Sequence, residues 1–439
     1  MNSSAKVSRR QFLRRGAALA AAGAAAPYII PSGVLAAPGR PGANDRIGIG
    51  GIGIGRQGSG DVRAALALKE TRLVAIADAN LPRAREIAAK YQAEAYQEYR
   101  KLLERKDVDA IITATPDHWR SLVCIHACQA GKDVYAEKPM TLTIREGRLM
   151  VEAVRKYQRV FQTGSQQRSM TVNRLGCELV RTGAIGKVLK VIAYNYPSPW
   201  ECGLPEQPVP DGINWNMWCG PTEIVPYHPD LYTPRANPGW ISFRPYSGGE
   251  MTGWGAHGLD QVQWALDMDE SGPIEVWTEG QKFSPPTYTA PEPVARGNKI
   301  CSEPRVFFRY PGDIVMELGN GPMGGAVFIG EKGKITIDRG VCKSDPPEIA
   351  AEAVKKLGSP KGDTHMRNWI ECIKSRQKPN ADVEIGHRSA TVCHLGNIAR
   401  QLGRKLRWDP VKEVFPDDAE ANACLDRPRR KPYLLPETI

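Results

Sequence analysis

The chain lacks several features that would place it quickly. It has no internal repeat, which argues against a solenoid or a propeller. Its longest small-residue apolar stretch, residues 16–26, is short and glycine-rich and is followed by Pro27 and Pro31, so it does not make a permanent bilayer span. Its ten cysteines are scattered without a compact framework, which excludes a disulfide-stapled scaffold. Its seven histidines show no metal-ligand spacing. Cys124, His126 and Cys128 sit close together, but at helical spacing and with no second ligand pair nearby, so the cysteines read as small buried residues on one helix face. A content of 41% hydrophobic and 24% charged residues over 439 positions rules out a disordered or fibrous chain and suggests two or three domains.

Acidic residues are also in deficit, with 48 against 59 Lys and Arg, a formal +11. That surplus suggests a polyanion partner only if it is spread over the protein. It is not. Lys6, Arg9, Arg10, Arg14 and Arg15 all precede Ala36 with no acid among them, and without them the surplus falls to six. The opening Ser8-Arg9-Arg10-Gln11-Phe12-Leu13-Arg14-Arg15, the apolar run and the small residues Val34-Leu35-Ala36 look like a twin-arginine export signal with its cleavage site. We therefore expect a signal peptide over 1–36, a linker over 37–45, export to the periplasm in folded form, and no nucleic-acid partner.

Beyond the linker the texture changes. A short apolar strand from Arg46 ends in Gly53-x-Gly55-x-x-Gly58, a helical stretch follows, and the next strand, Leu73 to Ala77, ends in Asp78. Strand, glycines, helix, second strand and a terminal acid 20 residues past Gly58 together form a dinucleotide-binding fingerprint. The first two glycines let the backbone turn and approach a pyrophosphate at the helix N-terminus, and the third lets helix and strand pack. Asp78 would accept hydrogen bonds from the adenosine ribose, favouring NAD, while nearby Arg83 keeps NADP open. Strands and helices then alternate to about residue 165, which predicts a parallel sheet with the site at its strand C-terminal ends.

Two segments emerge at those ends, Ala114-Thr115-Pro116-Asp117-His118 and Tyr135-Ala136-Glu137-Lys138-Pro139-Met140. With the glycine motif they resemble the Gfo/Idh/MocA family, the glucose–fructose oxidoreductase and inositol dehydrogenase group. Gly164-Ser-Gln-Gln-Arg168-Ser, Gly253-Trp-Gly-Ala-His257-Gly-Leu-Asp260 and Gly403-Arg-Lys-Leu-Arg-Trp408-Asp look like its exported bacterial branch. The resemblance implies an α/β protein: a Rossmann domain over 46–165, then an α+β substrate domain over 166–362 with an open, mainly antiparallel sheet. Helices over 363–408 would pack back on the core, ahead of a tail over 409–439, and we expect a homodimer or homotetramer. It implies that Gly53, Gly55, Arg56, Gln57, Gly58, Asp78, Thr115, Pro116, His118, Glu137 and Lys138 bind the cofactor.

The same resemblance places Lys138 between nicotinamide and substrate, where it would stabilise the developing oxygen charge. It makes His257 the base, an imidazole being suited to proton transfer near neutral pH. Sugar and inositol dehydrogenases of the family have an Asp one turn before that His; here the position is Gly253. Asp260 could take over if the segment is helical, a solvated or capping carboxylate being the alternative. Arg168 is a candidate contact for a sugar hydroxyl or carboxylate, with a structural ion pair as the alternative. Trp254 belongs to an aromatic-rich stretch, Tyr194 to Leu266, whose flat faces suit a sugar ring. The basic tail Asp426-Arg-Pro-Arg-Arg-Lys-Pro reads as a solvated arm. The expected activity is nicotinamide-dependent oxidation of a sugar, polyol or glycoside with a retained cofactor. The alternatives are a glycosidase that works by transient oxidation and a non-catalytic sugar or nucleotide sensor.

Overall fold

The computed structural model describes residues 42, 45–233, 239–289, 299–356 and 364–439. The expected signal peptide, and the linker apart from Gly42 and Asp45, lie outside these.

Short runs rich in Ile, Val and Ala, separated by amphipathic stretches, fold for the most part as strands buried on both faces between helices, the half-exposed edge strand Glu94–Tyr96 excepted. In order these are β1 (Ile47–Ile52), α1 (Arg56–Leu66), β2 (Thr71–Ala77), α2 (Leu81–Lys90), β3 (Glu94–Tyr96), α3 (Tyr99–Leu103), β4 (Ala110–Thr113), α4 (Asp117–Gln129), β5 (Asp133–Ala136), α5 (Ile144–Lys156) and β6 (Phe161–Thr163). The six strands pair in the order β3-β2-β1-β4-β5-β6, all parallel. The chain thus winds outward from β1 to one side and from β4 to the other, leaving a crevice between β1 and β4 at their C-terminal ends. A dinucleotide-binding sheet carries its ligand at that crevice.

After α6 (Thr171–Arg181) the chain builds an eight-stranded sheet from β7 (Val188–Tyr194), β8 (Glu275–Glu279), β9 (Arg305–Arg309), β10 (Val315–Gly319), β11 (Ala326–Gly330), β12 (Gly333–Asp338), β13 (Val341–Asp345) and β14 (Leu406–Arg407). Its order is β13-β12-β11-β7-β10-β9-β8-β14, and every pair but β7 with β10 is antiparallel. Alternation along these strands buries one face, Val191, Phe308, Met316, Leu318 and Phe328 among it, against the helix α7 (Gly255–Ala265) and the long α9 (Val383–Leu402). The fold is α/β, a Rossmann sheet joined to a domain with a mainly antiparallel sheet.

The C-terminal helices belong to both halves. α8 (Thr364–Ser375) puts Met366, Trp369 and Ile370 into the Rossmann core beside Ile49 and Tyr135. α9 starts on the Asp382 side chain, which accepts from Glu384 N, and stops at Gly403, whose φ of +67 suits glycine. The tail is a correction to the sequence reading: it is docked rather than solvated. Arg427 and Arg429 each reach Glu146 at 3.0 Å, and Tyr433 lies edge-on to Trp119, ring centroids 5.1 Å apart. Both arginines are largely buried, and Glu146 at the start of α5 is wholly so. Nothing in the local pattern of the tail marks a partner lying more than 280 positions away.

Candidate functional site

One cleft of about 610 Å3 runs from the crevice of the parallel sheet to the start of α7. Gly53 turns β1 into α1 with φ +68, and a Cβ there would stand 2.5 Å from Thr115 Cγ2. Gly55 faces open space, and α1 begins after it without a side-chain cap, so its first N–H groups are available to an anion. Gly58 is buried, and a Cβ there would stand 3.1 Å from Ala114 Cβ and Ile54 Cδ1, so it serves helix–strand packing rather than lining. Arg56, Gln57, Thr115 and Pro116 line the cleft. These groups fit a bound dinucleotide: an open glycine turn at a helix start, with a carboxylate one strand away.

That carboxylate, Asp78, is 5% exposed at the end of β2. It accepts two hydrogen bonds from Arg83, at 2.8 and 3.1 Å, and one from Asn80 N at 2.9 Å. The second domain reaches across this end. Gly212 O accepts from Leu81 N, Asn214 N donates to Ala79 O, and Asn80 donates to the Tyr232 hydroxyl at 3.0 Å. Met217, Trp218 and Tyr232 thereby become part of the cleft wall. No sequence signal pointed to this roof.

At the other end, β5 delivers Glu137 and Lys138. Glu137 is buried, accepts from Gln166 at 2.8 Å and Gln57 at 3.5 Å, and has its carboxyl pushed up by burial, against the pull of Lys138 and Arg120. Lys138 Nζ donates to Gly253 O at 3.3 Å. Behind it, Arg120 is 2% exposed, braces Asp117 at 3.2 Å and donates to Thr115 O and to Pro139 O. Burial raises the Asp117 carboxyl in spite of Arg120 and the 2.7 Å bond from Ser247. His257, 5% exposed on α7, lines the cleft beside Trp254, ring centroids 5.6 Å apart.

Besides Gly58, three expected site residues lie outside the cleft lining. His118 is fully buried, with Nε2 2.8 Å from Trp218 O and its ring against Trp218 and Tyr246; burial pushes its pKa down to about 3. It anchors the roof and does not line the cleft. Arg168 meets Asp260 at 2.9 and 3.0 Å and Asp269 at 2.7 and 2.9 Å, lies over the Trp264 ring, and is not among the residues that line the cleft. Asp260 is bound by Arg168 and, at 2.6 Å, by Ser389, which removes it as the partner of His257. Of the aromatic stretch, Trp218, Tyr232, Trp240 and Trp254 face the cleft, whereas Trp200, Trp215, Tyr227, Phe243 and Tyr246 pack a core of their own. Among the lining residues that the sequence reading passed over are Asp61, Tyr135, Gln166, Arg339 and His365. Of these, Tyr135 and Gln166 lay in motifs already singled out.

Among the described residues no three His, Cys, Asp or Glu side chains gather as a metal site requires, and no helix is long and apolar enough to cross a membrane.

Residues 46–165 match the family model described as oxidoreductase family, NAD-binding Rossmann fold, and residues 170–435 match oxidoreductase family, C-terminal alpha/beta domain, the two Gfo/Idh/MocA models. A myo-inositol 2-dehydrogenase of Thermotoga maritima is 31% identical over 154 residues, 34% of this chain and 46% of that one. A glycosyl hydrolase family 109 protein of Shewanella pealeana is 27% identical over 223 residues, 45% of this chain and 48% of that one. The chain thus spans about half the length of these curated relatives. The solved WlbA dehydrogenase of Bordetella pertussis, in complex with NADH and UDP-GlcNAcA, has the same fold, with a TM-score of 0.57 at 17% identity over 83% of this chain and 99% of that one.

Proposed function

The chain belongs to the Gfo/Idh/MocA oxidoreductase family, and on that premise we propose that it oxidises a CH–OH group of a sugar, polyol or glycoside with a retained NAD. One observation carries the reading. Lys138 from the Rossmann sheet and His257 from the second domain line the end of the cleft whose other end is the glycine turn and Asp78. Gly53, Gly55 and the start of α1 would hold the pyrophosphate, and Asp78 the adenosine ribose. Arg83 is turned onto Asp78 rather than left for a 2′-phosphate, which favours NAD over NADP. Bound there, NAD supplies a hydride acceptor. The Lys138 ammonium stabilises negative charge growing on the substrate oxygen, and His257 takes the hydroxyl proton. Trp254 and Trp240 offer aromatic faces to a ring.

The roof supports retention. The hydrogen bonds between Ala79 and Asn214, Asn80 and Tyr232, and Leu81 and Gly212 stand over the adenosine end and would hold a nucleotide in. A retained cofactor suits the export signal expected over 1–36, since a folded protein would carry its nucleotide out of the cytoplasm. The hydride must then return to a substrate in the same cycle. Either a second sugar is reduced, or the oxidised glycoside loses its leaving group by elimination and is reduced again. The relative named as a glycosyl hydrolase favours the second course. A panel of aldoses, polyols and aryl glycosides, read by absorbance of the reduced nicotinamide and by aglycone release, tests the reading. Reduction or release with at least one member is expected; silence across the panel from nucleotide-loaded protein argues for a sensor.

A further inference from the structure

The helix that presents His257 starts earlier than α7 itself. Residues Glu250–Gly253 are helical, Trp254 has αR dihedrals, Trp254 N donates to Glu250 O at 3.1 Å, and Gly258 N to Trp254 O at 3.1 Å. Glu250, Gly253 and His257 therefore fall at nearly whole turns along one face. Gly253 leaves a gap on that face, and the gap is filled: Glu250 Oε2 lies 2.7 Å from where a Cβ on residue 253 would stand. The Glu250 side chain is 5% exposed, so its carboxylate is held out of water beside the glycine whose carbonyl receives Lys138. The other carboxylate on this helix, Asp260, is already bound by Arg168 and Ser389.

We infer that Glu250 is the positioning residue of His257, its carboxylate occupying the space of an absent side chain at 253 to orient the imidazole and favour its protonated form. The inference rests on the reading of His257 as the base. As the substrate hydroxyl gives its proton to the imidazole, a carboxylate one to two turns away offsets the new positive charge. The other charged and titratable groups at this end are Lys138, Glu137 and the Asp117–Arg120 pair of the Rossmann domain, and the Arg168–Asp260 pair; Arg339 and His365 line the same cleft.

The test is NMR titration of isotope-labelled histidine in the full-length holoprotein, with His257→Gln used to assign the resonance. In Glu250→Gln and in Glu250→Ala the titration midpoint of His257 should fall by about one unit. Adding Gly253→Asp to Glu250→Ala should restore it, because the new side chain enters the vacated space. A midpoint unmoved in the folded single variants overturns the inference, as does a double variant that folds but stays shifted. If the single variants fail to fold, the double variant against wild type decides by the same criterion. Where a sugar of the panel turns over, kcat should fall at least tenfold in Glu250→Gln with KM nearly unchanged, which packing damage alone would not produce. The outcomes separate the two claims. A shifted midpoint in a protein that oxidises no sugar keeps the pairing and removes the function; an unmoved midpoint in an active enzyme does the reverse.

Discussion

Lys138 Nζ donates a hydrogen bond to the carbonyl of Gly253 at 3.3 Å, joining residues 115 positions apart. One lies two residues beyond the end of β5 in the parallel sheet; the other stands one turn before His257. The bond fixes the ammonium against the helix that carries the imidazole, so the two domains present their groups to one volume. Chemistry at that volume depends on both halves.

Lys138→Ala should therefore lower turnover by roughly a hundred- to a thousandfold, the usual loss when a donor aimed at developing charge is removed. Nucleotide content should stay near that of wild type, because the glycine turn and Asp78 are untouched. Single-turnover reduction of the bound nicotinamide checks the first, and acid-released nucleotide the second.

Asp78→Ala should weaken NAD binding about tenfold and free the Arg83 guanidinium that Asp78 now holds at 2.8 and 3.1 Å. NADP should then bind more tightly than it does to wild type. Titration of stripped protein with each nucleotide, followed by fluorescence of the tryptophans that line the cleft, measures both shifts.

Arg168→Ala should cost stability and not substrate affinity. It leaves Asp260 and Asp269 without their cation, and Asp260 is buried; breaking such a pair costs about 3–5 kcal/mol. Chemical denaturation reads the loss, and an unchanged KM in the folded fraction separates this role from sugar contact.

Arg427→Ala combined with Arg429→Ala should destabilise the protein by about 3 kcal/mol at neutral pH, since Glu146 would remain buried beside lost partners. Burial tends to raise the Glu146 carboxyl, but the two arginines prevail and hold it below its ordinary 4.5. Its stabilising contribution is thus present above the unfolded value and lost as pH falls through the lower folded one. The gap between wild type and variant should narrow as pH drops below about 4.5. Denaturation midpoints across pH test the sign.

Much of the fold is legible in the sequence because it is written locally. Gly53, Gly55 and Gly58 with Asp78 specify the turn, the helix and the second strand within a few dozen residues, and the 2-period of Ile335 and Ile337 marks a half-buried strand. Lys138 and His257 stand in compact motifs. What the sequence hides is pairing over distance. Arg168 and Asp260 are 92 positions apart, so nothing at either end shows that each is consumed by the other. His118 stands in a motif at a strand end, yet Trp218 lies 100 positions on and takes its imidazole. Glu250 escaped notice because its relation to His257 runs through an absent side chain, and a glycine shows what is missing without showing what fills the space.

The measurement closest to the central claim is the nucleotide content of the purified full-length protein, by acid release and mass spectrometry, before and after exposure to the sugar panel. The account predicts close to one NAD per chain, converted to NADH by a productive sugar without any nucleotide being added. Protein that emerges free of nucleotide, and turns over only when NAD or NADP is supplied, would contradict it.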